Sequence, residues 1–167
     1  TFSDKEALII EDSSEELWGF IEDLHYDVLS EFNLSAIIVM RCQTQYSCDL
    51  LSCINIDRTP LESEKKQLIF DLLDECIKHH KKPHVHTIGD TYLKKINPIV
   101  KNKKMASSKV IYLPFMSAND PYVVLCLQED GTLGAIPDGL DSRIAEMVLL
   151  SKKISDTDEL IGRLHAL

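Results

Sequence analysis

The sequence has no apolar run near the roughly 18 residues that a membrane-spanning helix needs. No basic stretch followed by an apolar core marks a secretory leader. Glycine and proline are sparse, at six each in 167 residues, which excludes collagenous and low-complexity classes. There is no CxxC pair among the five cysteines at 42, 48, 53, 76 and 126, so no zinc-ribbon or thioredoxin-type motif is present. Glycine-rich phosphate loops, paired catalytic carboxylates and a nucleophile elbow are missing as well. Basic residues are outnumbered, and the net charge of −9 argues against a general nucleic-acid binder, which needs clustered Lys and Arg for phosphate.

What is present is ordinary globular composition, 44% hydrophobic and 27% charged, in a chain of one-domain length. The cysteines fall mostly inside apolar runs, which predicts reduced, buried thiols in a cytoplasmic protein. Charge is unevenly spread. Lys78–Lys109 holds nine lysines against one acid, Asp90, and the rest of the chain has nine basic and 26 acidic residues. Such a segment either stays solvated or draws anions to its surface.

Periodicity divides the chain. Leu17, Ile21, Leu24, Val28 and Phe32 recur at three- and four-residue steps behind Ser13-x-x-Glu16, which predicts a helix over 14–32 that Asn33 ends. Ala36–Cys42 and Cys48–Asp57 read as two strands joined by a polar turn. The second alternates Leu50, Ser52, Ile54 and Ile56 on one face with Leu51, Cys53 and Asn55 on the other. Thr59-Pro60-Leu61-Glu62 opens a second helix, closed by Lys78–Lys82 and Pro83. A short strand at His84–Ile88, a lysine-rich connection with a helix near Tyr92–Ile96, and a second hairpin, Ser108–Phe115 with Tyr122–Gln128, follow. Leu140–Ile154 forms a last amphipathic helix. Ser155–Asp158 interrupts it before Asp156-x-x-Glu159 starts a new helical run.

Two hairpins bracketed by helices imply an α+β fold, a central antiparallel sheet of five or six strands with the terminal helices, including Trp18, on one face. Over roughly 12–155 this order resembles the GAF family of regulatory domains. The resemblance rests on SSKVIYLPFMSANDPYVVLCLQ at 107–128, IPDGLDSRIAEMVLLSKKI at 136–154 and KPHVHTIGD at 82–90. The chain departs from the family in having Val123 and Val124 where glycine is frequent, and Pro114-Phe115 for Pro-Leu.

The resemblance implies three parts: an upstream connecting segment (1–12), a sensor domain (13–155) and the start of a linker helix (156–167). It also implies a parallel two-fold homodimer through the terminal helices, with an output domain in the same full-length chain. Leu160, Ile161 and Leu164 continue the apolar positions, although Ser151 and Asp158 fall on the seam. The family's ligand pocket lies on the sheet face away from the terminal helices, under the segment between the hairpins. Here that cover is Lys82–Lys109, whose charge suits a small anionic ligand. The residues expected around it are Cys53, Asn55 and Tyr112 from the sheet, with His84, His86 and Tyr92 from the cover.

Specific cofactors are not implied. Bilin-binding members attach chromophore through a Cys-His pair, which is absent. The cyclic-nucleotide members follow Asn-Lys with an Asp-Glu pair, and none follows Asn102-Lys103. His84 and His86 share a strand side and resemble half a metal site or a pH-sensitive pair, but a metal needs three or four ligands, and His79 and His80 stand among lysines. Thiol chemistry of the free methionine sulfoxide reductase type needs an activated thiolate with a resolving partner. Only Cys42 and Cys48 flank a turn, with Arg41 as the sole basic neighbour. The chain therefore reads as a sensor or an interaction module rather than an enzyme.

Overall fold

A computed structural model describes residues 22–44, 47–57, 63–79, 81–101, 106–117, 120–129, 131 and 134–166. Residues 22–25 are helical and lead through Tyr26 into α1 (Asp27–Glu31). Trp18 and the first part of the expected 14–32 helix lie outside the described residues. The Phe32 N–H donates to the Val28 carbonyl, and Asn33 follows in the left-handed region at φ 53°. A short polar side chain tolerates that conformation, so Asn33 turns the chain from helix into strand.

Five strands form one antiparallel sheet: β1 (Leu34–Thr44), β2 (Ser47–Ile54), β3 (His84–Thr87), β4 (Lys109–Ser117) and β5 (Asp120–Gln128), in the order β2-β1-β5-β4-β3. The two expected hairpins are β1–β2 and β4–β5, and pairing of β1 with β5 joins them. β1 extends beyond both of its expected ends, β4 runs on past Phe115 and β5 begins before Tyr122, whereas β2 stops at Ile54 and β3 at Thr87, short of the expected Asp57 and Ile88; β4 and β5 pair as far as Ser117 and Asp120. Interior strands β1 and β5 carry AIIV and YVVLCL because both of their faces are covered. α2 (Ser63–His79), α3 (Asp90–Ile96) and a 3₁₀ turn (Asn97–Ile99) come between the hairpins.

The sheet separates two apolar cores. On one face, Val28 and Leu29 of α1 and Leu140, Ile144, Met147 and Val148 of α4 (Leu140–Ala166) pack on Ile37, Val39, Val124 and Cys126. The terminal helices thus share a face, as expected. Arg143 ties them together, its guanidinium 3.5 Å from Glu31 and 3.7 Å from Asp27. His25, tucked beside this contact, is held below its usual pKa by burial and then by the Arg143 charge. On the opposite face, Ile69, Phe70, Leu72, Leu73 and Cys76 of α2, with Ile88, Ile96 and Ile99 of the connection, cover Ile38, Met40, Tyr112, Val123 and Leu125.

Three expectations need correction. The simple alternation along β2 fails because Val39 faces Ser52 and Met40 faces Leu50, leaving Leu51 as an extra, bulged residue. Leu50 and Cys53 therefore join the core under α2, whereas Leu51 and Ile54 join the terminal-helix core, and the left-handed turn at Asn55 brings Ile56 back to the Leu50 side. The break at Ser155–Asp158 is absent: α4 runs unbroken for 27 residues. Thr157 accommodates the helix by donating its hydroxyl to the Lys153 carbonyl one turn back, at 2.8 Å. The expectation of wholly reduced thiols also fails. Cys53, Cys76 and Cys126 are free and buried, but Cys42, opposite Cys48 in the strand register, is disulfide-bonded. Strand pairing brings the two backbones together, which spacing along the chain does not reveal.

Among the described residues, no helix is long and apolar enough to cross a membrane.

Candidate functional site

The register lines up side chains across the sheet under α2 and α3. Cys53 on β2 pairs with Ile38 on β1, Ile38 with Leu125 on β5, Leu125 with Tyr112 on β4, and Tyr112 with His84 on β3. Four strand spacings separate the ends of this row, so Cys53 stands roughly 19 Å from His84. A small ligand does not reach both. Next to that row, His86 pairs with Val110. His84 and His86 share a face because strand side chains repeat every two residues, and Val85 points into the other core.

The β3 end of the face holds the polar groups. The His84 ring lies 5.2 Å from Tyr112, centroid to centroid, and 6.3 Å from His86 in an edge arrangement. His84 Nδ1 is 2.7 Å from the Lys82 carbonyl oxygen, so this nitrogen carries the proton and donates it. His86 Nε2 lies 3.8 Å from Glu75 Oε1 on α2. Tyr92 approaches from α3. Burial raises its pKa, as do Asp71, Glu75, Asp74 and Cys76 in decreasing order. Tyr112 is raised by burial and by Cys76. Burial and then Glu75 push the Cys76 thiol up to about 12, which keeps it protonated and unsuited to nucleophilic chemistry near neutrality.

The structure thus brings His84, His86 and Tyr112 together, with Tyr92 packed against the same core, and leaves Cys53 at the far edge. Asn55 does not face the cover at all. It sits at the end of β2 with φ 65° and is fully buried. Its side-chain amide donates to the Ser35 carbonyl at 2.7 Å, and its Oδ1 accepts from the Tyr26 hydroxyl at 3.4 Å. The left-handed turn after the bulge swings it around the sheet end toward the N-terminal helix. The side chains of His79 and His80 lie outside the described residues.

Sequence reasoning missed Glu75, because a helix carrying DLLDEC gives no sign of which carboxylate meets a histidine. It also missed a polar knot around Asn55. The Asn55 backbone N–H donates to Glu22 Oε2 at 2.6 Å, and the other oxygen of that carboxylate accepts from Lys101 Nζ at 2.9 Å. No local signal links residues 79 positions apart.

Charge around the rings differs from charge along the segment. Lys78, Lys81, Lys82, Lys94 and Lys95 are exposed, while Asp71, Asp74 and Glu75 influence Tyr92. The arrangement offers imidazole and phenol groups for hydrogen bonding and stacking beside a buried apolar floor. Among the described residues, no group of three His, Cys, Asp or Glu side chains is placed to hold a metal ion. No family model matches the chain, and neither the curated proteins nor the solved structures contain a match to it.

Proposed function

We propose that this chain is a regulatory, GAF-like sensor module of a larger signalling protein. It binds a small ligand under the cover, dimerises, and relays through its terminal helices to an output domain. The observation that supports this reading is the division of labour between the sheet faces. The His84–His86–Tyr112 group and Tyr92 lie on the covered face, and both terminal helices lie on the other. A ligand that alters the covered face acts through a sheet shared with the helices.

Thermal shift tests ligand binding, with panels of anionic, neutral and cationic metabolites on the wild type, His86→Ala and Lys94→Glu/Lys95→Glu. A ligand at a hundred times its dissociation constant adds about 2.7 kcal/mol, a shift of several degrees. An anion drawn by the lysines loses its effect in the double charge reversal. A cation held by the Glu75 side keeps its effect there and loses it in His86→Ala. If no panel member shifts the wild type, or the variants respond as the wild type does, the ligand site is refuted.

The second part of the reading rests on α4. Leu149, Ile161 and Leu164 are exposed. Continuity of the helix places Leu150, Ile154, Thr157, Ile161 and Leu164 at alternating four- and three-residue steps, the spacing of a coiled-coil seam. Light scattering over a concentration series is expected to show a monomer–dimer equilibrium that Ile161→Glu/Leu164→Glu abolishes. A strict monomer at several hundred micromolar rules out the seam.

A further inference from the structure

The cover and the N-terminal helix belong to opposite faces of the sheet, yet they meet around its end. The cover returns along β2 as a miniature antiparallel pair. The Lys101 N–H donates to the Asn55 carbonyl at 2.8 Å, the Asp57 N–H donates to the Ile99 carbonyl at 2.7 Å, and Ile56 bridges to Val100. From this pair, Lys101 Nζ reaches Glu22 of the N-terminal helix. The same carboxylate accepts the Asn55 N–H. Glu22 is buried, so one carboxylate serves an ammonium on one side and a backbone amide on the other. Losing either partner leaves a buried charge undercompensated. Tyr26, one helical turn on, holds the Asn55 amide.

We infer that Glu22, Asn55 and Lys101 form a strap coupling the cover to the N-terminal helix, so that opening the cover releases the helix and loosening the helix frees the cover. The inference rests on the sensor reading for its purpose, and not for its existence. If a ligand displaces the cover, the strap is a bonded route to the helix that does not pass through the sheet interior. Coupling of this kind is reciprocal: each end perturbs the other by the same factor. The strap is a positioning device, and none of its three residues belongs to the histidine–tyrosine group.

Hydrogen exchange on the full chain, without ligand, tests it from both ends. Lys101→Met keeps the length of the side chain and removes its charge. It is expected to speed exchange over 22–31 about tenfold, the loss expected of a charged hydrogen bond, while amides over 123–127 keep wild-type rates. Arg143→Ala loosens α1 from the α4 side and touches no strap residue. It is expected to speed exchange at Asp57 and Lys101, the two amides of the miniature pair. Glu22→Gln, which retains an oxygen acceptor, is the milder variant and is expected to act in the same direction with a smaller factor.

If Lys101→Met leaves 22–31 at wild-type rates, or Arg143→Ala leaves Asp57 and Lys101 unchanged, the strap is not a coupling element. Equal acceleration across 123–127 in every variant reduces it to an ordinary stabilising bond and overturns the inference. A failed ligand screen does not bear on these rates, so the two ideas fall separately.

Discussion

Replacing Asn55 with alanine is expected to lower stability by about 3 kcal/mol, a large part of the roughly 5–15 kcal/mol typical of a domain. Two separable effects contribute. The buried Ser35 carbonyl loses its donor, an unmet need of about 1–3 kcal/mol. Alanine must also adopt φ 65°, which costs an L-residue with a Cβ about 1–2 kcal/mol. Asn55→Gly removes the amide and tolerates the backbone, so it should be milder than alanine by about 1 kcal/mol. Urea unfolding of the three proteins resolves this order. Alanine and glycine variants with the same midpoint would show that the left-handed conformation carries no cost here, and a loss under 1 kcal/mol in both would show that the amide is dispensable.

Leu125→Ala is expected to cost about 2–5 kcal/mol, comparable to or larger than any other effect considered. Leu125 is fully buried at the middle of the row from Cys53 to His84, between Ile38 and Tyr112 and under α2. Interior strands on both sides limit how far the site can collapse, which keeps the cost high. For a chain of this size, the melting temperature should fall by about 10 °C. Leu149→Ala is the control: Leu149 is half-exposed on α4, and its loss should stay within about 0.5 kcal/mol. A Leu125→Ala variant that melts within a degree or two of the wild type would mean that this core is not tightly packed.

Much of this architecture is legible in the chain itself, and the parts that are not share a cause. Hairpins, strand interiors and the helix stop at Asn33 are local: a run such as YVVLCLQ has one good solution, a strand covered on both faces. Face assignment in β2 was not legible, because one bulged residue, Leu51, inverts Cys53 and Ile54 relative to Leu50, the left-handed turn at Asn55 returns Ile56 to the Leu50 side, and neither leaves a mark in the composition. The unbroken α4 was hidden for the opposite reason. Ser155, Asp156 and Asp158 are poor helix formers, and only the three-dimensional course of the chain shows that their tendency to cap is overridden.

Of the expected site residues, His84, His86, Tyr112 and Tyr92 came from the pocket position that the resemblance implies, and the register and packing place them on the face under α2 and α3. Cys53 landed on that face through the bulge, but too far along the row. Asn55 was drawn into the list by alternation, and its positive φ put it elsewhere. Glu22, Glu75 and Lys101 depend on contacts between distant segments, which a single sequence does not encode in any spacing.

The length of α4 has a mechanical consequence. Among the described residues, α4 packs in the core as far as Val148 and is tied to β5 by the Lys152–Asp120 ion pair one turn on, and residues 153–166 beyond that pair measure about 21 Å at 1.5 Å per residue. This stretch is therefore a lever arm, with Leu140–Lys152 as its fulcrum. A tilt of about 5° there swings the far end through about 2 Å, by the geometry of a rigid rod of that length. Repacking too small to disturb the core thus becomes a displacement of atomic size at the helix tip, close to the one- to two-ångström shifts that reset helical interfaces.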